Sequence, residues 1–199
     1  MKKILLSLIT VAGLAYGANA QTEKGKVIVG GNLTLWSAKT TSAQKADVTF
    51  NLVPSVGYFV SNDLALGTGV GYMSQKMVSA LTLKNGFEVS PFARHYVKLN
   101  DQFKFFAELG VPMVFGKQKT VAANGDVQAK VADLTMVGVK LAPGFAFFPN
   151  KKVAIEVSVD GIGYQHEGMK SVAGVKTSTN SFGINVDTFM PKLGLMFHF

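Results

Sequence analysis

The chain has 199 residues, 20 of them Lys or Arg and 12 Asp or Glu, and its formal net charge is +8. This length allows one domain. The absence of cysteine excludes disulfides and thiolate metal sites. After residue 20 no apolar run approaches the roughly 18 residues that indicate a membrane-spanning helix. Insertion into a membrane would therefore require a closed barrel, the other structure that pairs every backbone group there.

Residues 1–20 have the three parts of a secretory signal peptide. Two lysines follow the initiating Met, residues 4–14 form a mostly apolar core, and residues 18–20 read Ala-Asn-Ala, a small-x-small cleavage site. The apolar core is shorter than the about 20 residues that a spanning helix needs. We therefore expect export of a mature single domain, residues 21–199, with a net charge of +6 once the two leader lysines are removed.

The mature chain alternates apolar and polar residues in a series of segments with a period of two, which predicts β-strands. Eight strands are predicted, at residues 27–36, 48–60, 64–73, 87–99, 103–116, 131–148, 153–165 and 181–199. Short turns alternate with longer polar segments, and Asn85-Gly86 predicts a hairpin tip within one long segment. The pattern predicts an all-β fold, an eight-stranded antiparallel up-and-down transmembrane β-barrel.

Prolines fall inside several predicted strands, and each lacks the backbone N–H that would donate a hydrogen bond to a neighbouring strand. Bulges or kinks are expected near some of these five positions: Pro54, Pro91, Pro112, Pro143 and Pro191.

Each strand has an uncharged apolar face of about ten residues, the length of a tilted spanning strand. The opposite faces carry nine charged residues, which we expect inside the barrel: Glu88, Arg94, Lys98, Lys104, Glu108, Lys140, Glu156, Asp160 and Lys192. Five are basic and four acidic, so they can pair in a plugged polar lumen. A soluble carrier barrel would have the reverse arrangement, with its apolar face around a ligand.

The last nine residues, 191–199, form the closing strand. The pattern Lys192-x-Gly194-x-x-Phe197-x-Phe199 resembles the C-terminal assembly signal of bacterial outer-membrane β-barrels. The segments 56–67 and 182–199 carry most of a similarity that covers the whole mature chain and that makes it resemble the small OmpA-type barrels of Gram-negative bacteria. The resemblance implies location in the outer membrane, among its lipids, and assembly by the barrel-assembly machinery.

The long polar segments also carry lysines with few acids beside them, and we expect this basic rim to contact the phosphates of lipopolysaccharide. The alternative is a solvated rim without a particular partner. The rim consists of Lys39, Lys45, Lys76, Lys84, Lys117, Lys119, Lys170 and Lys176.

The resemblance implies no single activity, because the family includes pores, adhesins, structural anchors and a few enzymes. Three histidines, His95, His166 and His198, lack the neighbours of a hydrolase or metal site. We expect no catalytic residue, cofactor, metal or nucleic-acid partner, and a monomer. The leading hypothesis is an envelope structural or surface-interaction role. The alternatives are a narrow pore for small solutes and a lipid-modifying enzyme.

Overall fold

The computed structural model describes residues 22–39, 45–184 and 192–199. The predicted signal peptide and Pro191 lie outside these residues. The described strands are β1 (Val27–Ala38), β2 (Asp47–Ser61), β3 (Leu64–Met77), β4 (Thr82–Lys98), β5 (Phe103–Gly110), β6 (Met113–Val121), β7 (Val127–Asn150), β8 (Val153–Ser158), β9 (Ile162–Ser171), β10 (Lys176–Ile184) and β11 (Lys192–His198). The described part of the chain contains no helix long and apolar enough to cross a membrane.

The strands pair antiparallel in chain order and close on themselves. β1 pairs with β2 on one side and with β11 on the other. β5 and β6 both lie between β4 and β7, and β8 and β9 both pair with β7. β10 pairs with β9, and β11 pairs with β8. The segments β5–β6, β8–β9 and β10–β11 thus act as three of eight barrel strands, which confirms the predicted closed eight-stranded barrel.

The interruptions of two barrel strands lie beside prolines. Pro112 separates β5 from β6, and the carbonyl oxygen of Pro112 instead accepts a hydrogen bond from the backbone of Gly138 at 2.9 Å. The break between β8 and β9 lies opposite Pro143, whose carbonyl accepts from the Val159 N–H at 3.1 Å. Prolines 54 and 91, by contrast, sit inside the continuous strands β2 and β4.

The two ends of the barrel differ. At the turn end, where both β1 begins and β11 ends, residues 62–63, 99–102 and 151–152 make short connections. At the opposite loop end, strands β3, β4, β6, β7, β9 and β10 continue beyond their predicted limits. The region 166–180, predicted as a loop, is therefore largely the β9–β10 hairpin. Asn85-Gly86 is not a hairpin tip but lies inside β4, where it pairs with Lys117 and Gly116 of β6.

Side chains alternate between the lumen and the outer surface in most of the barrel strands. In β7, Ala142 and Ala146 are buried, whereas Leu141 and Phe145 are exposed. The same alternation recurs in β2, β4 and β8, but all nine residues of β10 are exposed. Large outward apolar side chains include Leu33, Leu35, Leu52, Val56, Leu66, Val70, Phe87, Leu109, Phe115, Val139, Ile155, Leu193 and Leu195. The outer surface of the barrel is consequently a broad apolar belt.

The lumen at the turn end is apolar and aromatic, which corrects the expectation of a wholly polar lumen. The buried cluster there consists of Ile28, Phe59, Ala65, Phe92, Tyr96, Phe106, Ala146, Phe148, Ala154 and Met196. The His198 ring is fully buried among them, 5.1 Å from the Phe148 ring centroid and 5.9 Å from that of Phe59. Bulky rings at these inward positions fill most of this part of an eight-stranded lumen.

Residues ahead of β1 cover the turn end. The Gly25 N–H donates to the Phe59 carbonyl at 2.9 Å, and the Asp63 N–H donates to the Thr22 carbonyl at 2.7 Å. The Lys24 N–H donates to Asn62 Oδ1 at 3.0 Å. Residues 22–26 are thereby fixed against the β2–β3 turn.

Candidate functional site: the barrel lumen

An arginine in the middle of the lumen forms ion pairs with two carboxylates. Arg94 on β4 donates from Nε and Nη2 to Glu108 Oε2 on β5, at 3.0 and 2.6 Å. Its Nη1 donates to both oxygens of Glu156 on β8, at 2.9 and 2.7 Å. The Tyr96 hydroxyl lies 3.1 Å from Arg94 Nη1 and donates to Glu156 Oε1 at 3.0 Å. These four side chains link three barrel strands through charge-assisted hydrogen bonds.

The Arg94 cluster lies directly on the aromatic core. The guanidinium carbon is 4.6 Å from the Phe106 ring centroid and 5.5 Å from that of Phe92. A desolvated guanidinium over an aromatic face gains cation–π attraction in addition to its ion pairs. The cluster and the rings below it thus form one continuous block across the lumen.

A small polar cavity of about 50 Å³ lies on the loop side of this block. Glu88 is buried and accepts a hydrogen bond from Asn51 Nδ2 at 3.3 Å, while Asn51 Oδ1 is buried and has no partner in the structure. Lys140 lies within electrostatic range of Glu88, Glu108 and Asp160. A cavity of this size and polarity has room for a water molecule that could hydrogen-bond the Asn51 oxygen.

Two further ion pairs lie toward the loop end of the barrel. Lys192 Nζ donates to Asp160 Oδ1, joining β11 to the break between β8 and β9. Lys84 Nζ on β4 lies 2.6 Å from Glu167 Oε1 on β9, with side-chain exposures of 25% and 14%. Lys84 is therefore engaged inside the barrel and is not free for contacts outside it.

At the turn end a lysine connects the lumen to residues ahead of β1. Lys104 is buried, and its Nζ donates to Thr22 Oγ1 and lies 3.0 Å from Asp63 Oδ1. Thr22 Oγ1 in turn donates to the same Asp63 oxygen. Burial by itself would raise the pKa of Asp63, but the hydrogen bonds from Thr22 and Lys104 and the Lys104 charge together hold that pKa below its usual range. A cavity of about 650 Å³ opens beside this cluster at the turn end.

The nine charged residues predicted for the lumen differ in how deeply they are buried. Glu88, Arg94, Lys104 and Glu156 are buried, and Glu108, Lys140 and Lys192 are partly buried. Asp160 lies in the break between β8 and β9 with 43% of its side chain exposed, although it bonds Lys192.

The prediction for Lys98 is wrong. Its side chain is 59% exposed and its Nζ lies 2.7 Å from Asp101 in the turn after β4. Lys98 has the same sequence parity as Arg94 and Tyr96, but it is the last residue of the strand. The side chain therefore leaves the lumen and reaches solvent.

The C-terminal motif forms the seam of the barrel. The Phe199 N–H donates to the Val27 carbonyl at 2.8 Å, and the Val27 N–H donates back to the Phe199 carbonyl at 3.0 Å. Gly194 is buried in the lumen beside Asn32 and Glu156, and Lys192 is also on that face. Phe197 has the opposite parity and is partly exposed, as is the terminal Phe199.

Several members of the lumen are missing from the sequence-based prediction: Thr22, Asp63, Tyr96 and His198. Tyr96 shares its parity with Arg94, and that signal could have placed it inside. Thr22 precedes the first strand, so no alternation marks it. Among the described residues no group of three His, Cys, Asp or Glu side chains could hold a metal ion. Every lumen carboxylate named above has a cationic or hydrogen-bonding partner, an arrangement suited to stability.

No family model and no curated protein sequence matches the chain. Solved structures with similar folds include the N-terminal β-barrel domain of Pseudomonas aeruginosa OprF, with 15% identity, coverage of 90% of this chain and 100% of that one, and a TM-score of 0.46. Neisserial surface protein A has 14% identity, coverage of 92% and 100%, and a TM-score of 0.46. The outer membrane protein OprG of P. aeruginosa has 13% identity, coverage of 92% and 99%, and a TM-score of 0.48. These similarities assign no role to any residue here.

Proposed function

We propose that this chain is a non-enzymatic β-barrel of the bacterial outer membrane with an envelope structural or surface-interaction role. The observation that carries this proposal is the inverted distribution of polarity across the barrel wall. Charged side chains meet inside the lumen, while leucines, valines and phenylalanines cover the outside. A water-soluble carrier barrel has the opposite distribution, with its charges on the outer surface.

The size of the outward apolar surface supports insertion into lipid. Leu35 is 70% exposed, Phe87 68%, Leu193 63% and Val70 54%, and they lie on four different strands around the wall. A soluble monomer rarely exposes a contiguous apolar patch above a few hundred Å². In a bilayer the same surface is solvated by acyl chains, and closure of the barrel satisfies the backbone groups.

Export and assembly follow from the two ends of the sequence. Residues 1–20 would direct the chain out of the cytoplasm. The barrel-assembly machinery would then recognise the terminal segment with Lys192, Gly194, Phe197 and Phe199. The backbone bonds between Phe199 and Val27 support this proposal, because β11 is the strand that completes the closed sheet.

Two measurements test the proposal together. Cell fractionation should place the mature protein in the outer membrane. In SDS gels the unheated protein should migrate differently from the boiled protein, because a closed barrel resists detergent until it is heated. Recovery in a soluble periplasmic fraction without a heat-dependent shift would refute the proposal.

The described lumen opposes the alternative of an open pore. The rings of Phe59, Tyr96, Phe106 and Phe148 fill the turn end, and the Arg94 ion cluster covers them. The cavity above this block holds only about 50 Å³. We expect that folded protein added to a planar bilayer produces no stable single-channel current steps. Reproducible steps that disappear when protein is omitted would restore the pore hypothesis.

Lysines at the loop end support a second part of the proposal, contact with lipopolysaccharide. Lys39, Lys45, Lys117, Lys170 and Lys176 are exposed there. Cationic side chains close to an anionic membrane surface are attracted to it over about one Debye length, about 8 Å at physiological salt. Binding of the detergent-folded protein to lipopolysaccharide should therefore weaken steeply as salt is added. Undetectable binding, or binding that is independent of salt, would contradict this contact.

A further inference from the structure

Five lysines from four strands meet on one outward patch near the loop end. Lys117 on β6 lies opposite Asp133 on β7, Asp133 lies opposite Lys170 on β9, and Lys170 lies opposite Lys176 on β10. Neighbouring strands are about 4.8 Å apart, so these four residues form a continuous row across the wall. We define the wall patch as this row together with Lys119 and Lys130.

The register places the wall patch on the outer surface. Phe115 lies two residues before Lys117 on the same strand, and it is 54% exposed. Lys117 shares its face, because side chains two residues apart in a strand point the same way. Lys130 and Asp133 are three residues apart in β7, but the register shifts between them, because Gln118 pairs with Ala132 and Lys119 with Lys130. The Lys130 Nζ lies 2.6 Å from Asp133 Oδ1, which brings Lys130 to the side of Asp133.

The wall patch has an unbalanced charge. Asp133 is the one acid among its six residues, and Lys130, Lys117 and Lys170 all lie within electrostatic range of it. Lys170 lies directly opposite Lys176, and Lys119 is paired with Lys130 between two shifts of the register. Like charges in directly opposed positions destabilise a sheet. A bound anion would remove this repulsion.

The height of the wall patch on the barrel identifies the kind of anion. On the first strand of the patch, Phe115 lies one row below Lys117 and is paired with Phe87 on β4, which is paired with Tyr72 on β3. The Tyr72 and Phe87 rings are in edge contact at 5.8 Å. These three aromatic side chains lie below and beside the β6 side of the wall patch, whereas Thr135 and Gly168 continue the same row under β7 and β9. Outward aromatic girdles mark the boundary between acyl chains and headgroups in membrane barrels. One row higher, about 7 Å along the strand, side chains reach the headgroup phosphates.

We propose that the wall patch binds the phosphates of an anionic glycolipid in the surrounding leaflet. The ligand is a membrane lipid, because Lys117 lies on the wall one row above Phe115 and a lipid can occupy both levels at once. Its acyl chains would contact Phe87 and Phe115 while its phosphates bridge the opposed lysines. This inference rests on the proposed membrane location and specifies where the lipopolysaccharide contact is made.

The test uses the detergent-folded full mature chain and diphosphoryl lipid A in mixed micelles. The triple variant Lys117→Gln, Lys130→Gln, Lys170→Gln should bind at least about tenfold more weakly than the wild type. A control variant with Lys24→Gln, Lys98→Gln and Lys151→Gln removes the same charge at the turn end and should bind like the wild type. Heat-dependent gel migration verifies that each variant is folded.

Two further measurements show whether a change in binding reflects loss of this site or loss of structure, and whether the site binds a lipid or any small anion. Asp133→Asn removes the acid from the row and should strengthen lipid A binding, a gain that loss of structure would not produce. Lipid A without phosphates should not bind, and inorganic phosphate should not compete. Competition by inorganic phosphate at a similar concentration would overturn the assignment to a lipid.

The remaining outcomes distinguish this inference from the proposed function. If the wild type binds lipid A and the triple variant binds equally well, the wall patch is not the site, although the lipid contact stands. If the wild type does not bind lipid A at all, both the patch and the proposed lipopolysaccharide contact are wrong. The membrane barrel itself would still be tested by fractionation and heat-dependent migration.

Discussion

Arg94 and Glu156 face each other inside the lumen with 2.7 Å between Nη1 and Oε2, and only 3% of each side chain is exposed. They come from β4 and β8, which are not adjacent in the sheet, so their contact spans the lumen. The pair therefore fixes the cross-section of the barrel as well as balancing charge. It also separates the aromatic turn end from the polar loop end.

Replacement of Arg94 by Met should strongly destabilise the barrel. The change leaves Glu108 and Glu156 without their cation in a buried site, a loss that costs about 3–5 kcal/mol. Lys98→Met is the matched control, because that lysine pairs with Asp101 in solvent and such exposed pairs contribute about 0–1 kcal/mol. Urea titration of the folded protein in lipid vesicles measures both. Equal losses for the two variants would contradict the central role of the Arg94 cluster.

A charge on the outer wall should cost more than the same charge in a turn. Leu109 is 49% exposed on the outer face, so Leu109→Arg would place a guanidinium in acyl chains at a cost of about 2–4 kcal/mol. Ala123→Arg adds the same side chain to the exposed β6–β7 connection and should be nearly neutral. The same titration compares them. A neutral Leu109→Arg would show that this face does not contact lipid.

Gly30 should be intolerant of any side chain because of the seam between β1 and β11. A Cβ there would lie 2.2 Å from the Leu195 carbonyl oxygen and 2.9 Å from the Met196 Cα. We expect Gly30→Val to destabilise the barrel by at least about 1–3 kcal/mol through overpacking. Gly183→Ala is the control, because no described atom lies within 4 Å of its added Cβ. Comparable unfolding midpoints for both variants would contradict the close approach at the seam.

Deletion of Phe199 should reduce the amount of assembled barrel. The deletion removes the aromatic end of the assembly motif and both backbone bonds to Val27. The conservative change Phe199→Tyr keeps the aromatic ring and the backbone and should assemble normally. The measurement is the quantity of heat-modifiable protein in the outer-membrane fraction. Normal amounts of the deletion variant would show that the terminal residue is dispensable for assembly.

Stability should decline at acidic pH in part through Asp63. Its pKa is lowered in the folded protein, because the Thr22 and Lys104 contacts outweigh the effect of burial. Such a carboxylate contributes stability above its unfolded pKa, and the contribution is lost as the pH falls through the folded pKa. Asp63→Asn should therefore flatten the acid side of a stability–pH curve, and Asn tolerates the left-handed backbone at this position, where φ is 63°. An unchanged curve would remove Asp63 from this role.

The period of two was sufficient to predict the barrel wall. In β7 it separates Leu141 and Phe145 from Ala142 and Ala146 without any knowledge of the partners, because alternation is a local property of an extended chain. The position of a residue along the barrel axis, by contrast, is not a local property of the sequence. Lys98 has the parity of a lumen residue yet reaches solvent, since alternation does not show where a strand leaves the barrel.

Long-range register limited the remaining predictions. The Tyr96 and Glu156 contact joins residues 60 positions apart, and nothing in either segment specifies the partner. Asn85-Gly86 has the chemistry of a hairpin tip but lies within β4, where Gly86 approaches the Phe115 carbonyl of β6. A Cβ there would be 2.6 Å from that oxygen, so the glycine is explained by strand packing instead of a turn.

The inverted polarity of the wall can be measured directly by spin labelling. The chain has no cysteine, so single changes Val139→Cys, Lys140→Cys, Leu141→Cys and Ala142→Cys in β7 each give one labelling site. In lipid vesicles, labels at 139 and 141 should collide readily with oxygen dissolved in the acyl chains, and labels at 140 and 142 should be shielded from it. High oxygen accessibility at 140 and 142, or no alternation, would contradict the proposed membrane barrel.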